Sequence, residues 1–165
     1  MTAAAPAASP PWQGRVTAIL LAGLAGGLVD FLYASAAFGL LKGKPIYKVW
    51  QGPASGWLGR QAADGGYASA ALGVATHFGI ALCMAAVYGL AATKLPVLTR
   101  RPLICGALYG LLLYAVMYGM VLPLRFGAPY HWHGLASVGD VASHLGTGLA
   151  MAWTLSRRWP AKALT

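Results

Sequence analysis

The chain has 165 residues, with twelve Lys or Arg against three Asp and no Glu, a formal net charge of +9. Charged residues are only 9% and hydrophobic residues 58%, with a mean hydropathy of +0.62, whereas a soluble domain carries about 25% charged residues. This excludes a soluble enzyme, which could not build its surface from so few charges, and leaves room for one domain only.

In chain order, residues 1–14 are Ala/Pro-rich and predict a disordered tail. Four stretches then reach the roughly 20 residues a helix needs to cross a hydrocarbon core. They are 16–41, 67–93, 102–122 and 135–156. They predict an all-α polytopic membrane protein, a four-transmembrane-helix bundle over 15–158, followed by a short tail at 159–165. The first stretch carries Ala34-Ser35-Ala36, which mimics a leader cleavage site. Asp30 interrupts its apolar run and only Arg15 precedes it, so it reads as a retained span. Residues 42–66 hold Pro45, Tyr47, Trp50, Pro53 and Trp57 among glycines and lysines, the signature of a short interfacial segment. A lid over a site is the alternative for a loop of this length.

Basic residues orient the spans, and their scattering between apolar runs argues against a nucleic-acid partner. One side holds Arg15, Lys94, Arg100, Arg101, Arg157, Arg158 and Lys162; the other holds Lys42, Lys44, Lys48, Arg60 and Arg125. The compact arginine pairs abut span ends, where the bias counts most, and predict both termini in the cytoplasm.

In lipid, helices associate through close contact of small residues. Gly23 and Gly27, then Gly106 and Gly110, have the required four-residue spacing, as do Gly148 and Ala152. The first two pairs could pack on each other or drive a homo-oligomer. All lie in the inner half of the spans, which therefore reads as tightly closed.

The outer half carries the polar groups. At about 1.5 Å per residue, Asp30 lies about 16 Å below the outer end of its span. His77, Tyr114 and His144 fall at about 15, 12 and 14 Å in theirs, so each span places one polar group at a similar depth. Asp140 lies one turn outside His144 on the same face, and His131 and His133 flank Trp132 near the same mouth. A carboxylate within hydrocarbon is costly unless paired, hydrated or protonated, so Asp30 is either a proton or cation site or a structural partner for His or Tyr. His77 and His144 could simply hydrogen-bond across helices, ligate a haem b, or hold a transition metal with Asp30 or Asp140. His131 and His133 are further metal candidates. Met84, Met117 and Met120 read as packing. Cys83 and Cys105 are isolated, without a Cys-x-x-Cys pair, and read as small apolar residues. No nucleophile elbow, phosphate loop, His-Glu-x-x-His or dinucleotide fingerprint is present, so no cofactor is demanded by a motif.

Thr76-His77-Phe78, Ala86-Val87-Tyr88-Gly89, Arg101-Pro102, Gly106-Ala107-Leu108-Tyr109-Gly110 and Val121-Leu122-Pro123-Leu124 form a pattern with Gly139, His144 and Arg157-Arg158 in the last span. The pattern, over about residues 15–158, resembles small bacterial inner-membrane proteins distantly similar to the YagU family. The resemblance implies an inner-membrane helical bundle and carries over no catalytic residue; Asp30 matches none of its motifs.

The residues together favour a non-enzymatic transport- or pathway-type protein with an outward-facing polar intramembrane site. A histidine suits such a site because its charge changes near neutral pH. A redox subunit using His77 and His144, or an accessory subunit of a larger membrane complex, are the alternatives. Membrane lipids are the expected surroundings in every case.

Overall fold

The computed structural model describes residues 12–127 and 129–159 and is all-helical among them. α1 spans Trp12–Ala34 and is prolonged by a π-helical segment, Ser35–Leu40. α2 follows at Ile46–Leu58, then a 3-10 turn at Gly59–Ala63. α3 is Gly66–Lys94, α4 is the short Val97–Arg100, and α5 is Pro102–Val116. A second π segment, Met117–Val121, carries α5 into α6 at Leu122–Phe126, and α7 is Leu135–Arg158. Three helical runs, Trp12–Leu40, Gly66–Lys94 and Pro102–Phe126, are long and apolar enough to cross a membrane.

Local chemistry sets several boundaries. Pro102 opens α5, where its missing N–H costs nothing, and Gly127 closes α6 in the left-handed conformation. The π segment ends two residues before Pro123, whose ring would otherwise press on the carbonyl of Gly119. α1 begins earlier than predicted: Trp12, Gln13 and Gly14, assigned by sequence to the tail, form its first turn. Trp12 is largely exposed there, as suits an indole at a membrane interface. The rest of both predicted tails, 1–11 and 160–165, lies outside the described residues. The stretch predicted as a short interfacial segment contains the helix α2, and α3 begins one residue before the predicted start.

α7 is the centre of the packing. It lies between α5 and α1; α1 packs in turn on α3, and α2 covers the far flank of α3. Flanked on two sides, α7 buries the small residues Ser137, Ser143, Thr147, Gly148 and Ala152, and toward its C-terminal end also Met151 and Leu155.

The Gly23/Gly27 and Gly106/Gly110 pairs each engage a neighbour within the chain, and do not pack on one another. A Cβ on Gly106 would lie 2.8 Å from the Ala152 Cβ, and one on Gly148 would strike the backbone of Gly106 and Gly110. Gly106 and Gly110 thus set the α5–α7 crossing against Gly148 and Ala152. Gly23 and Gly27 set the α1–α3 crossing instead, where added Cβ atoms would lie 2.9 Å from the Leu82 Cα and from the Phe78 ring. Near the N-terminal end of α1 and the C-terminal end of α7, Ala18, Ala22, Ala81, Ala85, Tyr88, Met151 and Leu155 belong to one buried cluster. Arg15 stacks on Trp159 at 4.9 Å, tying the first turn of α1 to the end of α7.

Candidate functional site

α1 and α7 run antiparallel, and their contacts keep a strict register. Thr147 Oγ1 donates to the Gly26 carbonyl at 3.3 Å. One turn outward, Ser143 Oγ donates to Asp30 Oδ1 at 2.6 Å. A further turn outward, Tyr33 Oη donates to Asp140 Oδ1 at 2.9 Å. Each step of three or four residues along α1 is matched by the same step back along α7, so hydrogen-bonding side chains repeat at helical spacing on facing stripes. Gly139 makes the outermost rung possible, since a Cβ there would sit 2.5 Å from the Tyr33 oxygen. Inward of Thr147 the ladder stops. The next positions on the seam are Ala22, Met151, Ala18 and Leu155, all buried, with Met151 and Leu155 the largest fully buried side chains among the described residues.

His77 joins this seam from α3. Its Nε2 lies 2.9 Å from the Gly27 carbonyl, and its Nδ1 lies 3.9 Å from Asp30 Oδ2. A carbonyl oxygen only accepts, so Nε2 carries the hydrogen. In a neutral ring, Nδ1 then presents a lone pair toward the carboxylate. The arrangement is satisfied when a proton sits on Nδ1 or on Asp30. Among the described residues neither Asp30 nor Asp140 has a Lys or Arg partner. The two side chains retain limited access, 27% for Asp30 and 15% for His77.

α2 caps this pair. Trp50 stacks on Phe31 with ring centroids 4.3 Å apart and stands edge-on to His77 at 5.0 Å. Its indole N–H donates to Ser35 Oγ at 3.1 Å, holding the ring over the imidazole. α2 can come this close because Gly73 lies directly under the Trp50 carbonyl, with no space for a Cβ. Within residues 42–66, the Trp50 ring is thus the group that lies against His77.

The second polar group gathers around His144. Its Nδ1 donates to the Asp140 carbonyl at 2.9 Å, and Tyr114 and Tyr118 meet its ring edge-to-face at 5.6 and 5.8 Å. Tyr114 shares a 3.0 Å hydrogen bond with Tyr130 at the outer end. The four residues singled out by depth, with Asp140, therefore fall into two neighbouring groups: Asp30 with His77, and Asp140 with His144 and Tyr114. The rings of His77 and His144 have no aromatic neighbour in common. Each donates one N–H to a backbone carbonyl, which leaves at most one ring nitrogen free for a ligand. Among the described residues no three His, Cys, Asp or Glu side chains converge as a metal site. His131 and His133 stand 6.4 Å apart in the exposed segment before α7.

No family model matches the chain, and no curated protein or solved structure matches it. The site accordingly rests on its own geometry. Sequence reasoning passed over Tyr33, Ser143 and Trp50. Tyr33 and Ser143 each follow an acid by three residues, a helical spacing that marks the same face. Trp50 carries no such signal, because its place over His77 depends on how α2 folds back against α3.

Proposed function

We propose that the protein is a non-enzymatic, transport-type membrane protein whose α1–α7 seam carries an outward-facing proton or cation site centred on Asp30 and His77. In this reading α7 is a fourth membrane span, both termini are cytoplasmic, and the membrane is a bacterial inner membrane, as the YagU-like pattern implies. α7 is less apolar than the other three because two neighbours shield it from lipid, as in other helices that face a bundle interior.

The observation that carries the reading is the approach of His77 Nδ1 to Asp30 Oδ2 at 3.9 Å, without a Lys or Arg counter-ion among the described residues. A fixed structural ion pair would place a permanent cation beside a buried carboxylate. This pair accommodates one exchangeable positive charge instead. Ser143 holds one carboxylate oxygen and leaves the other for His77. Tyr33 and Asp140 continue the polar path outward, and the Met151 and Leu155 side chains close it inward. Release to the other side then requires the α1–α7 packing to rearrange.

The test is ion flux in proteoliposomes across an imposed pH gradient, with tryptophan emission followed during acidification from about pH 8 to 5, the range in which histidine changes charge, and Trp50→Phe as the control that assigns the signal. Wild type is expected to show a pH-dependent flux and a change in emission that Trp50→Phe lacks. Asp30→Asn and His77→Gln should lose both. Equal flux and emission in wild type and both variants would sink the proposal.

A further inference from the structure

The Asp30–His77 pair has few oxygens to offer a ligand. Ser143 Oγ donates to Asp30 Oδ1 at 2.6 Å, and His77 Nε2 donates to the Gly27 carbonyl at 2.9 Å. One turn inward the Gly26 carbonyl accepts from Thr147, and one turn outward Asp140 Oδ1 accepts from Tyr33. Each of these acceptors already serves a hydrogen bond within the protein. That leaves Asp30 Oδ2, which faces His77 Nδ1 at 3.9 Å.

Much of the remaining wall is aromatic. The His77 ring stands 5.0 Å from Trp50, 5.2 Å from Phe78 and 6.4 Å from Phe31. The three rings are continuous, since Phe31 stacks on Trp50 at 4.3 Å and lies 5.8 Å from Phe78. Phe31 directly follows Asp30 and Phe78 directly follows His77, so each polar residue brings one ring of its own wall. These rings supply no oxygen ligand.

A metal cation gives up water only for a shell of ligand atoms. Calcium takes about six to eight oxygens, magnesium demands a near-octahedral set, and potassium filters use rings of carbonyls. Transition metals favour imidazole, thiolate and carboxylate, and among the described residues no three such side chains converge. A proton needs one lone pair. With the Nε2 hydrogen committed to Gly27, that lone pair is on Nδ1, and a proton placed there turns toward Asp30 Oδ2. The pair is then neutral overall, and without the proton it carries one negative charge. The titratable groups around it are Tyr33 on α1, Asp140 and His144 on α7, and Tyr118 on the π segment after α5; α2 presents the Trp50 indole.

We infer that the Asp30–His77 pair takes one proton and excludes metal cations. This names the cargo of the transport proposed above, and rests on that reading for its role in the membrane.

The test has a binding arm and a flux arm. In the first, the full chain in mild detergent is titrated by ¹⁵N imidazole resonances, with His77→Gln assigning the His77 signal. Sodium, potassium or calcium chloride replaces choline chloride at a constant ionic strength of about 0.15 M. His77 is expected to take up one proton with the same midpoint in every salt. A midpoint lowered by about half a pH unit or more in one metal salt means that the metal competes for the carboxylate, and overturns the inference. So does a His77 ring that takes up no proton down to about pH 5. In the second arm, proteoliposomes are given a pH gradient or, at constant pH, a sodium gradient. Proton flux that Asp30→Asn abolishes, without sodium uptake above that of protein-free vesicles, is the expected result. Sodium uptake that Asp30→Asn abolishes overturns the inference and leaves the transport reading standing. A salt-independent His77 titration without Asp30-dependent flux does the reverse: it removes the transport reading and supports the proton site. Should Asp30→Asn fail to fold, the wild-type titration alone decides.

Discussion

The outer and inner halves of the α1–α7 seam use one register for opposite ends. Outward of Gly26 the facing residues hydrogen-bond across the seam: Thr147 to the Gly26 carbonyl, Ser143 to Asp30, Tyr33 to Asp140. Inward of it they are Ala18, Ala22, Met151 and Leu155, packed without access to solvent. The apolar half packs the helices together, and the polar half carries the site proposed above to exchange a proton or cation. Stability and pH response should therefore separate cleanly along the seam.

The largest effect belongs to the inner half. Gly148→Leu would drive a side chain into the backbone of Gly106 and Gly110, with no flexible atom to yield. Overpacking alone costs about 1–3 kcal/mol, and a clash with backbone should exceed that and abolish the folded monomer. Size-exclusion chromatography in detergent checks this. A well-folded Gly148→Leu protein would mean that the α5–α7 crossing is looser than its glycines imply. Leu155→Ala comes next, leaving a cavity at a fully buried position. A loss of about 2–5 kcal/mol is expected from thermal or denaturant unfolding, with pH-dependent flux preserved in the remaining folded protein.

Asp30→Asn should behave in the opposite way. Asparagine can still accept from Ser143, so stability should stay within about 1 kcal/mol of wild type while the pH response disappears. If Asp30→Asn unfolds the protein and Leu155→Ala abolishes flux, the division between the halves is wrong. Tyr33→Phe sharpens the outer half further. It removes one donor from Asp140 and should cost about 1 kcal/mol, while leaving the Asp30–His77 pair intact. Flux in this variant measures how far the path depends on its outermost rung.

Much of this contrast was legible in the sequence, and what was missed has a physical reason. The glycine spacings point to close helix contacts, because only small residues allow backbones to touch. They could not choose partners: Gly106 and Gly110 face Gly148 and Ala152, while Gly23 and Gly27 face α3, and that choice depends on the order in which the helices pack. Depth counting brought Asp30 to His77 and Tyr114 to His144. It could not show that the two histidines point into different groups, because depth fixes height along a helix and says nothing of direction around it. Trp50 was visible only as an interfacial aromatic, since its contact with His77 crosses between segments that share no periodicity.

The smallest expected effect tests the boundary between the halves. Thr147 Oγ1 reaches the Gly26 carbonyl at 3.3 Å, a long bond to an oxygen that already accepts an N–H within α1. Hydrogen bonds between membrane helices average about 0.6 kcal/mol. Thr147→Val keeps the shape of the side chain and exchanges the hydroxyl for a methyl group. It should therefore change stability by no more than about 0.6 kcal/mol. Its effect on pH-dependent flux is the more informative reading. If protons stop at Asp30, the rung below it is structural, and Thr147→Val should match wild type. If the variant loses flux as Asp30→Asn does, the polar path continues past Asp30 toward Met151, and the seal lies deeper than the Thr147 rung.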